Sequence, residues 1–190
     1  MTDFLSLALQ RRSIRKYTDR AVEQEKIERI LQAALASPSS KHLNPWEFVV
    51  VTDHKVLSKM AGCRTYGSQM LLQSPLGIVV CIDQNATDTW QCDGAIAAMN
   101  MLLAAEDEGL GACWVQVYGR ENSTQLLDGT THSESAESLI RHLTDIPETL
   151  SVLCIISIGY KAEEKKSINP EKLQYEKIHY GKYTPHTKNR

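Results

Sequence analysis

The chain has 190 residues and a formal net charge of −2. That length suits one domain, and a composition of 42% hydrophobic and 23% charged residues excludes a largely disordered chain. The nearly balanced charge excludes a global basic field for nucleic acid or anionic lipid, and no apolar run approaches the ~20 residues of a membrane helix.

Residues 2–10 form a short apolar helix, and Arg11 to Arg15 follow as a basic turn. Thr18 to Ala21 is a polar break. Residues 23–36 carry Ile27, Ile30, Leu31, Ala34 and Leu35 at helical spacing. Ser37 to Pro45 cannot continue that helix, because Pro38 and Pro45 remove backbone donors and Ser and Asn favour turns. Phe48 to Val51 reads as a strand, 54–61 as a helix, and Gly77 to Ile82 as a strand buried on both faces. Residues 88–108 are the longest helical candidate. They are apolar nearly all round, which predicts a place in a core or a subunit interface. Gly109 and Gly111 stop that helix. Ala112 to Val117 is a third strand, 120–135 is polar and loop-like, 136–143 is a helix, and Leu150 to Ile158 is a fourth strand. Residues 161–190 are rich in Lys, Glu, Tyr, His and Pro, a composition for an extension that is either disordered or lies across another surface, such as a partner subunit.

The N-terminal residues place their charges after the apolar stretch, the reverse of a secretory signal. Cys63, Cys81, Cys92, Cys113 and Cys154 form no CxxC pair, so zinc and a disulfide framework are not expected. Most lie in apolar context and should be buried. The expectation is a reduced, cytoplasmic protein.

Three segments carry possible chemistry. Arg11, Arg12, Ser13 and Arg15 present three guanidiniums and a hydroxyl, which suit a phosphate, or else a solvated basic turn. Ser37 to Trp46 is a hydroxyl- and amide-rich loop stiffened by two prolines, either a ligand loop or a helix-to-strand connection. Gly109 to Gln116 permits close backbone approach at the start of a strand, or is simply a helix end entering the core. No GxSxG elbow, HExxH or GxGxxG is present. Asp93 and Asn100 are the polar exceptions on the long apolar helix.

Taken in order, RRSIRKY (11–17), SPSSKHLNPWEFVV (37–50), SPLGIVVCID (74–83), Trp90, Asp93 and Asn100, GLGACW (109–114), IGYKAEEKK (158–166) and KIHYGKY (177–183) resemble the FMN-dependent nitroreductase family, in its short, Tyr-ended members. The resemblance spans nearly the whole chain. It implies an α+β fold with a mostly antiparallel sheet flanked by helices, in an intertwined homodimer. Residues 1–160 would be the FMN-binding domain, and 161–190 an extension wrapping the partner. It implies that Arg11, Arg12 and Ser13 hold the FMN phosphate, completed by Lys165 or Lys166, and that Arg15 lies toward the pyrimidine edge. Pro38, Ser39, Ser40 and His42 would come from the other subunit. Trp114, Val115 and Gln116 would flank the ring, and Gln69 stands near a position where many relatives carry a flavin-contacting Lys. His42 and Asn44 replace the usual Asn and Gln of the family loop. The implied reaction is ping-pong hydride transfer from NAD(P)H through flavin N5 to a nitroaromatic, quinone-like or other small conjugated acceptor, with no catalytic side chain and no metal. Tyr66 and Trp90 are candidates for the acceptor pocket, or for the core. Alternatives are a flavin sensor or storage protein, a reductive dehalogenase, or a flavin-destroying enzyme.

Overall fold

The computed structural model describes residues 3–125 and 131–185. The chain runs α1 (Phe4–Gln10), α2 (Gln24–Leu35), β1 (Trp46–Val51), α3 (His54–Met60), β2 (Leu76–Asp83), α4 (Trp90–Asp107), β3 (Gly111–Gln116), β4 (Glu121–Gln125), β5 (Thr131–Ser135), α5 (Ala136–Thr144) and β6 (Leu150–Gly159). Local chemistry sets several of these boundaries. Asp3 caps α1 by accepting from the Ser6 amide at 3.1 Å, and Asp53 caps α3 by accepting from the Lys55 amide at 2.7 Å. In α2, Ile27, Ile30 and Ala34 make the buried stripe that the spacing predicts.

Four strands form an antiparallel sheet in the order β1-β2-β6-β3. The register slips once between Val80 and Cys81, where Leu153 bulges from β6. Helices α2 and α4 cover one face, with Ile30, Ile78, Ile82, Met101 and Ile156 among the buried residues. Helices α3 and α5 close the other, over Leu57, Leu71, Val79, Ile140 and Ile155. Each fully buried aliphatic side chain of this kind contributes roughly 1.5–3 kcal/mol of transfer free energy. Helix α4 lies close against the sheet because Gly94 has no side chain: a Cβ there would stand 2.6 Å from Leu153 Cδ2. Four cysteines are buried and Cys92 is exposed. No helix among the described residues is long and apolar enough to cross a membrane.

The structure corrects the reading of residues 120–135. Where residues 120–135 read as a polar loop, β4 and β5 pair as an antiparallel hairpin, from Glu121 opposite Ser135 to Gln125 opposite Thr131; residues 126–130 lie outside the described residues. The hairpin has no apolar alternation to betray it. Its support is polar: the Ser123 amide donates to Thr65 Oγ1 at 3.1 Å.

The C-terminal extension begins against its own chain. Lys161 bridges Tyr17, the Ala162 amide donates to the Lys16 carbonyl at 3.0 Å, and the Ile168 amide to the Leu9 carbonyl at 2.9 Å. Beyond this, Tyr175, Ile178, Tyr180 and Tyr183 are exposed. Residues 186–190 of the predicted extension lie outside the described residues.

Candidate functional site

β3 is the last strand of the sheet, and its free edge organises the site. The segment that reads as a basic turn, Arg11 to Arg15, is instead extended along that edge. Ser13 pairs with Ala112 in parallel fashion, and the Ile14 amide donates to the Ala112 carbonyl at 3.0 Å. The close approach permitted by Gly111 is used here by Ile14, whose Cβ would lie 2.7 Å from a Cβ at position 111. Ile14 thus enters the core, while Arg11 and Arg12 are half-buried and Arg15 is exposed.

Residues 161–166 enclose the other side of this segment. The Arg15 amide donates to Glu163 Oε1 at 2.6 Å, Lys165 Nζ donates to the Ser13 carbonyl, and Arg12 donates to the Lys166 carbonyl. Lys165 also pairs with Glu163 at 3.2 Å. The Arg15 amide, aided by Lys165, holds the Glu163 carboxyl below the usual carboxylate range. Arg11, Arg12, Ser13, Arg15, Lys165 and Lys166 therefore gather at one edge. None of the three guanidiniums is in an ion pair among the described residues. The cluster carries five cations against Glu163 and Glu164.

Two clefts flank it and share Glu163 and Lys165. One, of about 810 Å³, is bordered by Gln10, Ile14 and Lys166; the other, of about 520 Å³, by Arg15, Gly67, Gln69 and Met70. Unpaired guanidiniums, a hydroxyl and ammonium groups beside such clefts fit a phosphate monoester joined to a larger ring system.

The remaining expected residues are placed more selectively. Val115 has its side chain in the core, so only its backbone borders the edge. Trp114 is half-buried, and its indole N–H donates to Gln116 Oε1 at 2.9 Å; Gln116 in turn donates to the Tyr118 carbonyl at 3.0 Å. Gln69 lines the smaller cleft, yet its amide is engaged in its own loop, accepting from the Gly67 amide at 2.8 Å and donating to the Thr65 carbonyl at 3.1 Å. Trp90 is a core residue, packed edge-on against Tyr118 with centroids 4.8 Å apart, whereas Tyr66 is exposed.

Pro38, Ser39, Ser40 and His42 are not brought to this cluster within one chain. They precede β1, at the opposite edge of the sheet, three strand spacings or about 14 Å from β3. The loop is tightly made. Ser39 donates to Asn44 Oδ1 at 2.8 Å, the Ser40 amide donates to Asp93 Oδ1 at 2.9 Å, and Asn100 donates to Ser37 Oγ at 2.7 Å. Lys41, His42 and Asn44 all have positive φ, of 52°, 56° and 47°. Such backbone is strained for non-glycine residues.

The sequence reading passed over Glu163, the acid that fastens the extension to the basic segment. The only hint was its place in the Glu-Glu-Lys-Lys run. The Cys113 thiol near the cluster is not primed as a nucleophile: burial pushes its pKa up, against the smaller opposing effects of Arg15 and Ser13. Tyr17 keeps its proton, because burial raises its pKa and it donates to the Ile14 carbonyl at 2.6 Å.

The sequence pattern of the Nitroreductase family matches residues 8–64 and 63–160. An Archaeoglobus fulgidus protein provisionally named NADH dehydrogenase/NAD(P)H nitroreductase is 37% identical over 187 residues, covering 93% of this chain and 99% of its own. The solved FMN-dependent nitroreductase of Clostridium difficile R20291 superposes with a TM-score of 0.86 at 42% identity, over 95% of this chain and 100% of that one. A provisionally named nitroreductase of Desulfovibrio desulfuricans, solved in complex with FMN, superposes at 0.72 with 25% identity, over 97% of this chain and 99% of that one. The family pattern spans most of the chain, and the fold recurs in solved structures, one of them 42% identical to it: the chain belongs to the nitroreductase family.

Proposed function

We propose that the chain is an NAD(P)H-dependent oxidoreductase that holds FMN at the basic edge of β3 and reduces small conjugated acceptors such as nitroaromatics or quinones. The observation that carries this reading is the enclosure of Arg11 to Arg15 between β3 and residues 161–166, which leaves guanidiniums without carboxylate partners beside two clefts. The FMN complex of the D. desulfuricans relative supports the choice of cofactor, and the name of the A. fulgidus relative supports the donor.

When bound, FMN supplies a group that accepts hydride from NAD(P)H and donates it to the acceptor. Arg11, Arg12 and Ser13, with Lys165 and Lys166, would bind its phosphate by charge-assisted hydrogen bonds. Arg15 would face the ring and favour the negative charge of the reduced state. Trp114, the Val115 backbone and Gln116 would flank the ring, and Gln69 would border it from the smaller cleft. Pro38, Ser39, Ser40 and His42 would reach the ring from a second copy of the chain, since their own copy's cluster lies across the sheet. Exposed Ile96 and Met99 on α4, 39% and 41% accessible, give that second copy an apolar surface. Residues 1–160 form the flavin unit, and the exposed stretch from Leu173 to Tyr183 is assigned to the partner's surface.

The test is the visible spectrum of the purified protein, followed by NADPH or NADH under anaerobic conditions. A yellow protein with one FMN per chain that bleaches supports the reading. A colourless protein that takes up no added FMN overturns it.

A further inference from the structure

Beyond the basic edge, a second cationic cleft opens where β3 leaves the sheet. It has a volume of about 560 Å³ and is lined by Arg64, Thr65, Tyr66, Gly119, Arg120, Glu121 and Ser135. Arg64 and Arg120 are 56 positions apart in the chain, so their convergence is invisible in the sequence. Arg64 is tied through its side chain and Arg120 through its backbone. Arg64 donates to the Gln116 carbonyl at 3.4 Å, on the strand assigned to the flavin ring. The Arg120 amide donates to the Val117 carbonyl, and the Arg120 carbonyl accepts from the Ala136 amide, both at 2.9 Å. Neither guanidinium is in an ion pair among the described residues. Glu121 is the opposing charge in the lining, and it accepts from Ser123 Oγ at 3.3 Å; the two arginines still leave a net positive cleft. Ser135, the residue before α5, also lines it, so the positive end of that helix adds to the field. Tyr66, 80% exposed, offers an aromatic face at the rim.

We propose that Arg64 and Arg120 bind the 2′-phosphate of NADPH, with Tyr66 stacking on its adenine, and so make NADPH the preferred donor. This rests on the flavin reading above, because a phosphorylated donor is recognised here only if its nicotinamide can reach the ring beside Gln116. A forked guanidinium pair suits a phosphate dianion, and NADH has only a hydroxyl at that place.

The experiment compares kcat/KM for NADPH and NADH in the FMN-loaded wild-type enzyme, in Arg120→Ala and in Arg64→Lys. FMN content is read from the flavin absorbance of each sample. The wild type should favour NADPH, and Arg120→Ala should lower the NADPH-to-NADH ratio about tenfold or more. Arg64→Lys, which keeps the charge but loses the fork, should lower it less. Adenosine 2′,5′-bisphosphate should compete with NADPH more strongly than adenosine 5′-monophosphate. A wild type with equal or reversed preference overturns the proposal, and so does an unchanged ratio in Arg120→Ala. Equal inhibition by the two adenosine phosphates assigns the cleft to another anion and also overturns it. Failure to bind FMN at all would sink the flavin reading instead, and the absorbance separates the two failures.

Discussion

Gly111 and Ile14 are complementary: the missing side chain of one is the space occupied by the other, with Ile14 Cβ 2.7 Å from where a Cβ at position 111 would stand. The obstacle is a branched carbon next to the backbone, which cannot swing away. Gly111→Ala should therefore push the Arg11–Arg15 segment off the edge of β3. The expected cost is about 1–3 kcal/mol of stability, as for other overpacked sites. FMN affinity should fall with it, because the displaced segment carries the arginines. Thermal unfolding and a flavin fluorescence titration on one sample would check both; lost stability with intact FMN affinity would separate Ile14 from the site.

Removing single cations should rank by what each does. Arg11→Ala and Arg15→Ala delete guanidiniums that serve no ion pair in the described structure, so both should weaken FMN by about 10- to 100-fold without unfolding the protein. Lys165→Met should be worse, since Lys165 also holds the Ser13 carbonyl and Glu163. Lys166→Ala should be mildest, because Arg12 is bound by the Lys166 carbonyl, which any residue keeps. Raising salt should narrow the differences, more at exposed Arg15 and Lys166 than at half-buried Arg11 and Lys165. Equilibrium FMN titration at two ionic strengths measures the series.

What could be read from the residues divides by the kind of force involved. The stripe of Ile27, Ile30 and Ala34 was legible because burial on one face writes a helical period into the sequence, and the strand around Val80 because burial on both faces writes an unbroken apolar run. The β4–β5 hairpin was not, since ENSTQ and THSES carry no apolar alternation and the pairing rests on backbone hydrogen bonds and Thr65. The site followed the same division. Arg11 to Arg15 stood out as a cluster along the chain, but their extended conformation depends on Gly111 and Glu163, far away in sequence. Arg64 and Arg120 converge only through the fold. Gln69 drew notice by resemblance, yet its amide serves its own turn.

Glu163 should give the site an acid sensitivity. Its folded pKa lies below its ordinary value of 4.5, chiefly through the Arg15 amide and then Lys165. A depressed carboxyl contributes stability that is present above the unfolded value and is lost as pH falls through the folded one. Stability and FMN retention should accordingly drop as pH falls below the ordinary carboxyl value of 4.5 and through the lowered folded one, where that contribution disappears. Glu163→Gln keeps an acceptor for the Arg15 amide but has no proton to take up. Its melting temperature should change less steeply across the same range. Identical pH slopes in wild type and variant would show that Glu163 has no part in the acid response.

Asp93 offers a test of whether the site is split between two copies. Its Oδ1 accepts from the Ser40 amide at 2.9 Å, and its Oδ2 is buried with no partner among the described residues. Asp93→Ala releases the loop, which has three strained residues to relax. It also removes the bond from the Ser40 amide, worth about 1.5–3 kcal/mol, and a favourable acid from the first turn of α4, worth about 0.3–1 kcal/mol. Against that, it relieves an unsatisfied buried oxygen, worth roughly 1–3 kcal/mol. Fold stability should thus fall only modestly, while FMN affinity should fall about tenfold if the loop contacts the ring, the scale of one lost charge-assisted contact. The decisive step is to mix Asp93→Ala subunits with Arg11→Ala subunits by partial denaturation and refolding. In a shared site, each mixed dimer contains one pocket carrying both lesions and one carrying neither. FMN binding should then return to about one tight site per mixed dimer. If loop and basic edge served a flavin within the same chain, every pocket in the mixture would carry one lesion, and no tight binding would return.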